Sequence, residues 1–366
     1  MDRRDFLKLI ISATILTGTG VSTRKDIKEA YFYEKLENKK VKCKNCPHEC
    51  VLGPDETGFC RARKNIDGKL YSLAYGNPCA VHIDPIEKKP LFHFLPGTTA
   101  FSIATAGCNF RCKFCQNYQI SQKSPDETFN QELSPEDIVQ NVLYYRGKYN
   151  ISSIAYTYTE PGIFYEYMID TSEKAKKYGI KNIYHSNGYL NEKPLLRLTK
   201  YLDGANIDLK FFNEKTYQDM SMGHLEPVLE TLKTLHRQGV HLEITNLVIP
   251  QVNDKFDEIK RMVKWIIANL GRDIPIHFSR FFPTYKLTNL PPTPVSTVER
   301  ARALALNLGM HYVYIGNVPA GHPGENTYCP KCKRTLIRRL GFMVVENNLV
   351  DGKCPYCGTP IEGVWG

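Results

Sequence analysis

Phe101-Ser102-Ile103-Ala104-Thr105-Ala106-Gly107-Cys108-Asn109-Phe110-Arg111-Cys112-Lys113-Phe114-Cys115-Gln116-Asn117 is a short β-like run that empties into a loop with three cysteines, spaced C-x3-C-x2-C. Three thiolates hold three irons of a [4Fe–4S] cluster, whereas a cluster that only transfers electrons usually takes four. The missing ligand leaves one iron open, and an open metal position is where a substrate or cofactor binds. The same spacing also suits part of a zinc or four-cysteine site whose last ligand lies elsewhere. The surrounding chain has to decide between them.

Outward from this loop, residues 99–320 alternate apolar β-like runs with helical patterns. Strands are expected at 101–106, 153–159, 182–186, 204–209, 241–249, 276–282 and 311–316. Between them, Ser134-Pro135-Glu136-Asp137 reads as a helix start, with Ser as cap, Pro in the first turn and acids at the positive end. Its apolar face is Ile138, Val139, Val142 and Tyr145. A second helix carries Leu225, Val228, Leu229, Leu232 and Leu235 and stops at Gly239. A third carries Phe256, Ile259, Met262, Val263, Ile266, Ile267 and Leu270 and stops at Gly271. A fourth is expected to start with a capping box, Ser296-Thr297-Val298-Glu299. Helical spacing between apolar strands predicts an α/β fold with a parallel sheet of βαβ units. This many units favours a partial TIM-type (β/α)6 barrel over a small open sheet.

In such barrels the chemistry sits on the loops after the carboxyl ends of the strands. Read this way, successive strands end at the cysteine loop, Tyr158-Thr159-Glu160-Pro161, His185-Ser186-Asn187-Gly188, Asn206-Ile207-Asp208-Leu209-Lys210 and Thr245-Asn246, while His277 and Arg280 lie on the sixth. A carboxylate, an amide, an Asp and a Lys around one open iron suit a zwitterionic amino acid joined to a ribose. Glu160 is then a candidate acceptor for an ammonium and Lys210 a partner for a carboxylate. Ser186, Asn187 and Asp208 are candidates for ribose hydroxyls. His277 and Arg280 are candidates for the substrate side, His277 as a catalytic group, against the plainer reading of a core histidine and a surface ion pair.

The flanks are cysteine modules. Twelve cysteines in 366 residues fall into clusters at 43/46/50/60, 108/112/115, 329/332 and 354/357, with Cys79 alone. Paired short spacings suit metals better than a disulfide framework, and clustered thiols imply a reducing compartment during assembly. In residues 31–98, Cys43, Cys46, Cys50 and Cys60 can close a tetrahedral zinc site or hold a second cluster. Cys79 reads as a small buried hydrophobe. In residues 321–366, Cys329-Pro330-Lys331-Cys332 and Cys354-Pro355-Tyr356-Cys357 are two knuckles of a zinc-ribbon-like module.

Residues 1–30 open on Met1-Asp2-Arg3-Arg4-Asp5-Phe6-Leu7-Lys8, a twin-arginine-type signal or anchor, followed by a weakly apolar stretch from Leu9 to Val21. That stretch is short for a membrane span, and contact with a membrane is expected only through it. Residues 22–40 read as a charged linker. The start favours export or anchoring; a cytoplasmic location is the alternative. The formal charge is +10. No stretch is both densely basic and interleaved with aromatics, which argues against a nucleic-acid partner and for a generally basic surface.

Taken together, the Cys108/Cys112/Cys115 loop with Phe114 before its last cysteine resembles the radical SAM signature. The motif order is similar to pyruvate formate-lyase activating enzyme, with Thr159-Glu160-Pro161, Asn187-Gly188 and Asp208-Leu209-Lys210 in matching places. The two glycines that precede the glutamate in that pattern are missing here. Closer still is the AmmeMemoRadiSam-system radical SAM family, across nearly all of residues 43–358. Its carriers are Cys46-Pro47-His48-Glu49-Cys50, the run Asp84 to Gly97, Cys115-Gln116-Asn117, Tyr156 to Pro161, Tyr314-Ile315-Gly316-Asn317 and Asn326 to Pro330. The resemblance implies a [4Fe–4S] cluster on Cys108, Cys112 and Cys115 that binds and reductively cleaves S-adenosylmethionine (SAM). The product is a 5′-deoxyadenosyl radical, which takes hydrogen from an unidentified substrate. It implies an electron donor as partner, with Phe114 against the adenine or the cluster. Two other readings stay open: an activase that puts a radical on a glycine of a partner protein, and a zinc-binding adaptor.

Overall fold

The computed structural model describes residues 27–366. The expected twin-arginine run lies outside the described residues. Among the described residues no helix is long and apolar enough to cross a membrane.

Among the described residues, six short strands come first: β1 (Lys28–Glu29), β2 (Tyr33–Lys35), β3 (Val41–Cys43), β4 (Val51–Leu52), β5 (Arg63–Ile66) and β6 (Lys69–Ser72). They form two small antiparallel sheets, β1-β6-β5 and β2-β3-β4. The linker expected at 22–40 is therefore corrected from residue 27 onward. The segment is anchored to Asp170 and Glu166: Tyr31 Oη donates to Asp170 at 2.7 Å, and its N–H donates to Glu166.

The large sheet contains β7 (Ala80–Pro85), β8 (Thr99–Ala104), β9 (Ile151–Tyr156), β10 (Lys181–Ser186), β11 (Gly204–Asp208), β12 (His241–Val248), β13 (Ile276–Arg280) and β14 (Val313–Gly316). They lie side by side in chain order, β8 to β14 parallel and β7 antiparallel at the edge. All seven expected strands are present. β7 is an addition that takes residues 80–85 out of the expected N-terminal module. Cys79, expected to be buried, is half-exposed just before it.

Among the described residues, eight helices accompany the strands: α1 (Tyr118–Ser121), α2 (Pro135–Tyr149), α3 (Tyr165–Lys177), α4 (Glu192–Thr199), α5 (Glu214–Ser221), α6 (Leu225–Arg237), α7 (Phe256–Leu270) and α8 (Val295–Asn307). Ser134 caps α2 as expected, accepting from the Asp137 N–H. The box at Ser296 does not form. Pro294 is the cap of α8, so Ser296 sits inside the first turn and Glu299 instead meets His322 at 3.1 Å.

One face of the large sheet, with Tyr156, Ile207, Ile244, Phe278 and Ile315, is buried against the helices. The opposite, inner face is closed at the amino ends of the strands by residues 86–95. There Ile86, Leu91 and Phe94 pack on Ala100, Ala155 and Ile183. The Pro90 carbonyl accepts from Asn206 Nδ2, and the His93 N–H donates to Glu243 at 2.7 Å. Beyond β14, β15 (Thr327–Tyr328), β16 (Thr335–Leu340) and β17 (Met343–Asn347) form a third small sheet. Arg339 reaches back from it to donate to the Phe92 carbonyl at 2.7 Å.

Candidate active site and metal centres

The cysteine loop leaves the carboxyl end of β8 through Gly107, whose φ is +103°. A Cβ there would also lie 2.5 Å from the Cys60 carbonyl oxygen. Only glycine meets both conditions. The loop then folds over α5 and α1. Cys112 Sγ lies 3.4 Å from Ser221 Oγ, Cys115 Sγ lies 3.2 Å from Ser121 Oγ, and the Phe110 N–H donates to Cys108 Sγ at 3.3 Å. Burial pushes the Cys112 thiol up to about 11 and Cys108 well above its ordinary value. Buried thiolates of this kind need a cationic centre to hold them.

Glu160, Ser186 and Asn187 come together with Cys108. Glu160 is buried at the carboxyl end of β9. Its Oε1 accepts from Gly162 N–H at 2.8 Å, Tyr184 Oη at 3.1 Å and Ser186 Oγ at 2.8 Å. Its Oε2 accepts from Ser186 Oγ at 3.0 Å and Asn187 N–H at 2.9 Å. Burial raises its pKa, opposed by the Asn187 and Gly162 N–H groups. Asn187 Nδ2 donates to Asn109 Oδ1 at 2.8 Å and stands 4.0 Å from Cys108 Sγ. The carboxylate thus ties the ends of β9 and β10 together, and Asn187 and Asn109 link them to the loop of the first cysteine.

Asp208 and Lys210 form their own pair at 2.7 Å. Enclosure disfavours both charges, but each outweighs it for the other: Asp208 titrates below the usual carboxylate range and Lys210 above the usual amine range. Lys210 Nζ also lies 5.9 Å from the Phe114 ring centroid, and Phe114 meets Phe211 edge-on. These residues surround one loop end.

The profile of the Radical SAM superfamily matches residues 102–266, from β8 into α7. Uncharacterized protein MJ0808 of Methanocaldococcus jannaschii is 48% identical over 338 residues, 92% of this chain and 99% of that protein. The chain belongs to the radical SAM superfamily. Pyruvate formate-lyase-activating enzyme of Clostridium pasteurianum is 24% identical over 172 residues, 45% of this chain and 67% of that one. A solved radical SAM methyltransferase from Sphaerobacter thermophilus is similar with a TM-score of 0.48 at 13% identity, over 62% of this chain and 68% of that one.

In this radical SAM protein the inner face below the cysteine loop is polar. Tyr158, at φ +62°, donates its hydroxyl to Asp84, and Lys89 Nζ sits 4.3 Å from its ring centroid and 2.7 Å from Asp84. Left-handed backbone at a bulky residue is strained; here Asn117 Nδ2 holds the Tyr158 carbonyl at 2.7 Å. Burial lowers the Lys89 ammonium to about 8, with Asp84 opposing. His185 Nε2 faces Asp208 at 3.6 Å. Sequence reasoning did not assign Asp84, Lys89, Tyr158 or Asn109 to the site. The run Asp84 to Gly97 was legible only as a family feature.

His277 is elsewhere. It is buried on β13 with Nε2 2.6 Å from Glu243, stacked on Tyr314 and edge-on to Phe92. It belongs to the floor of the inner face and not to the partners of the cysteine loop. Arg280 likewise binds backbone carbonyls of Thr293 and Asn317.

Cys329, Cys332, Cys354 and Cys357 place all four sulfurs within 4.8 Å of one another. Cys329–Cys357 and Cys332–Cys354 are 3.5 and 3.6 Å apart. This is a metal-ligand quartet on the third small sheet.

Proposed function

We propose that this protein cleaves SAM at a [4Fe–4S] cluster on Cys108, Cys112 and Cys115 and uses the radical on a substrate held over the inner face. The observation that carries this reading is the junction of Glu160, Ser186 and Asn187 to Cys108 through Asn109. Cys108, Cys112 and Cys115 would hold the cluster, which, once reduced by an external electron donor, would supply the electron that splits SAM into methionine and a 5′-deoxyadenosyl radical. Glu160 fixes the Ser186–Asn187 turn, so that Asn187 and Ser186 stand ready for the amino-acid end or the ribose. Lys210, held by Asp208 beside Phe114, offers a cation to a carboxylate. Tyr158, Lys89 and Asp84 line the space beneath and orient the substrate. Phe110 and Phe114, both buried, keep water from the loop.

At the C-terminal quartet we propose zinc. Zn–S bonds of about 2.3 Å set sulfurs about 3.8 Å apart in a tetrahedron, close to the spacing found. The zinc-only adaptor does not explain Glu160, Asp208 and Lys210 around three thiols. A glycyl-radical activase is the second reading, favoured by the name of the Clostridium pasteurianum relative.

The test is anaerobic. Reconstituted protein is reduced with dithionite, given SAM and assayed for 5′-deoxyadenosine. Product in wild type and none in Cys112→Ala is expected. Equal product in Cys112→Ala overturns the assignment.

A further inference from the structure

The N-terminal cysteines are left unused by that chemistry. Cys43, Cys46, Cys50 and Cys60 line one cavity of about 20 Å³, together with His48 and Arg63. Three features of this cavity bear on what fills it.

The first is spacing. Among the described residues, the C-terminal quartet is the one set of three or more His, Cys, Asp or Glu ligand atoms within 4.8 Å of one another. A single tetrahedral ion requires such closeness. A cubane binds each thiolate through a different iron and so holds its ligands farther apart. Neither Cys108, Cys112 and Cys115 nor any three of the four N-terminal cysteines form such a set among the described residues, although the four N-terminal cysteines share one cavity.

The second is a donor without an acceptor. Arg63 is buried and gives Nη1 and Nη2 to Glu166 at 3.1 and 2.7 Å. Its Nε has no hydrogen-bond partner. A buried donor left without an acceptor is unfavourable. A cluster carries inorganic sulfides as well as thiolates, and hydrogen bonds to these sulfurs are a usual part of a cluster site.

The third is position. The cavity backs onto the loop of the first cluster. The Cys60 carbonyl abuts Gly107, His48 Nε2 pairs with the Asn109 carbonyl at 2.7 Å, and Asn45 Nδ2 donates to the Gly162 carbonyl at 2.6 Å. The Arg111 guanidinium lies 3.9 Å from the Phe59 ring centroid.

We propose that Cys43, Cys46, Cys50 and Cys60 hold a second, four-thiolate [4Fe–4S] cluster, packed directly against the SAM-binding loop. It has no open iron, so its role is electron transfer, not substrate binding.

The experiment counts metals on the full chain. Wild type and the Cys108→Ala/Cys112→Ala/Cys115→Ala variant are reconstituted anaerobically with ferrous iron and sulfide. Iron, acid-labile sulfide and zinc per chain are then measured, with Mössbauer spectra of the iron. Two cubanes predict about eight irons in wild type and about four in the triple variant. The triple variant keeps a [4Fe–4S] Mössbauer signature, lost on adding Cys46→Ser and Cys50→Ser. A triple variant without iron but with about two zincs per chain overturns the proposal. If that variant does not fold, wild type decides alone: about eight irons with one zinc supports it, about four irons with two zincs overturns it. Failure of the SAM reading is separate: wild type with about four irons, all kept when the triad is removed.

Discussion

Glu160→Gln isolates the charge of the carboxylate that joins the strand ends. Glutamine keeps the shape but replaces one oxygen with an amide NH2. Oε1 faces Gly162 N–H, Tyr184 Oη and Ser186 Oγ, and Oε2 faces Asn187 N–H and Ser186 Oγ. Hydroxyls can turn, but backbone N–H groups cannot. Either orientation therefore sets the new NH2 against a backbone donor. One buried donor left unmade costs about 1–3 kcal/mol, and loss of the charge weakens each remaining bond by up to about 1 kcal/mol. The sum is about 3–5 kcal/mol. With an unfolding entropy of about 2.1 cal/mol/K per residue, a chain of this size should melt about 4–7 °C lower. The Asn187 turn moves with its anchor, so SAM affinity should fall at least about tenfold, the equivalent of 1.4 kcal/mol, while iron content stays at the wild-type level. Anaerobic equilibrium dialysis with SAM and differential scanning fluorimetry read the two effects. A variant with wild-type melting and wild-type SAM affinity would refute the role given to the carboxylate.

Lys210→Ala should weaken SAM binding more than iron retention, because Lys210 pairs with Asp208 and acts on Cys112 only by its charge; unchanged dialysis binding removes it from the site. Gly107→Ala should cost about 2 kcal/mol or more, combining a left-handed φ with a clash on the Cys60 carbonyl; a variant with normal urea stability and normal iron loading contradicts the close packing. Acid should destabilise the fold through His93. Burial lowers its pKa to about 4, with Glu243 opposing. The unfolded chain takes up its proton near 6.5, so stability present above that pH is lost as pH falls toward 4. The amount is about 3 kcal/mol. Urea midpoints of wild type and His93→Gln from pH 7 to 4.5 check this, and equal slopes in both would remove His93 as the cause.

The parallel sheet was legible because its strands are continuous apolar runs set between helices with clear faces. The strand-end rule singled out Glu160, Ser186, Asn187, Asp208 and Lys210 as candidates without any knowledge of contacts. What it could not find were partners. Glu160 looked ready for a ligand's ammonium, yet its acceptors are taken by groups 24 to 27 residues away. His277 was a candidate for the substrate side, and its contact with Glu243, 34 residues distant, was not legible. β7 escaped because its apolar alternation, Val81-His82-Ile83-Asp84, covers only four residues before Pro85. Residues 27–40 read as linker because their anchors, Glu166 and Asp170, lie on a helix more than a hundred positions on. Pro294 displaced the box at Ser296 because its own φ of −57° already suits a helix start.

The floor of the inner face has a bearing on the order in which the molecule is assembled. Phe92 through Leu95 are fastened by Arg339, by Tyr314 and by pairing with Val364. Those partners emerge from the ribosome more than two hundred residues after the segment they secure. Contacts of such long sequence separation form slowly. β8 to β13 can pair while the chain is still being made, but residues 92–95 are fastened to the inner face only once β14, β16 and Val364 have followed. Loss of order around the C-terminal cysteines should thus be felt at the inner face, which contains none of them.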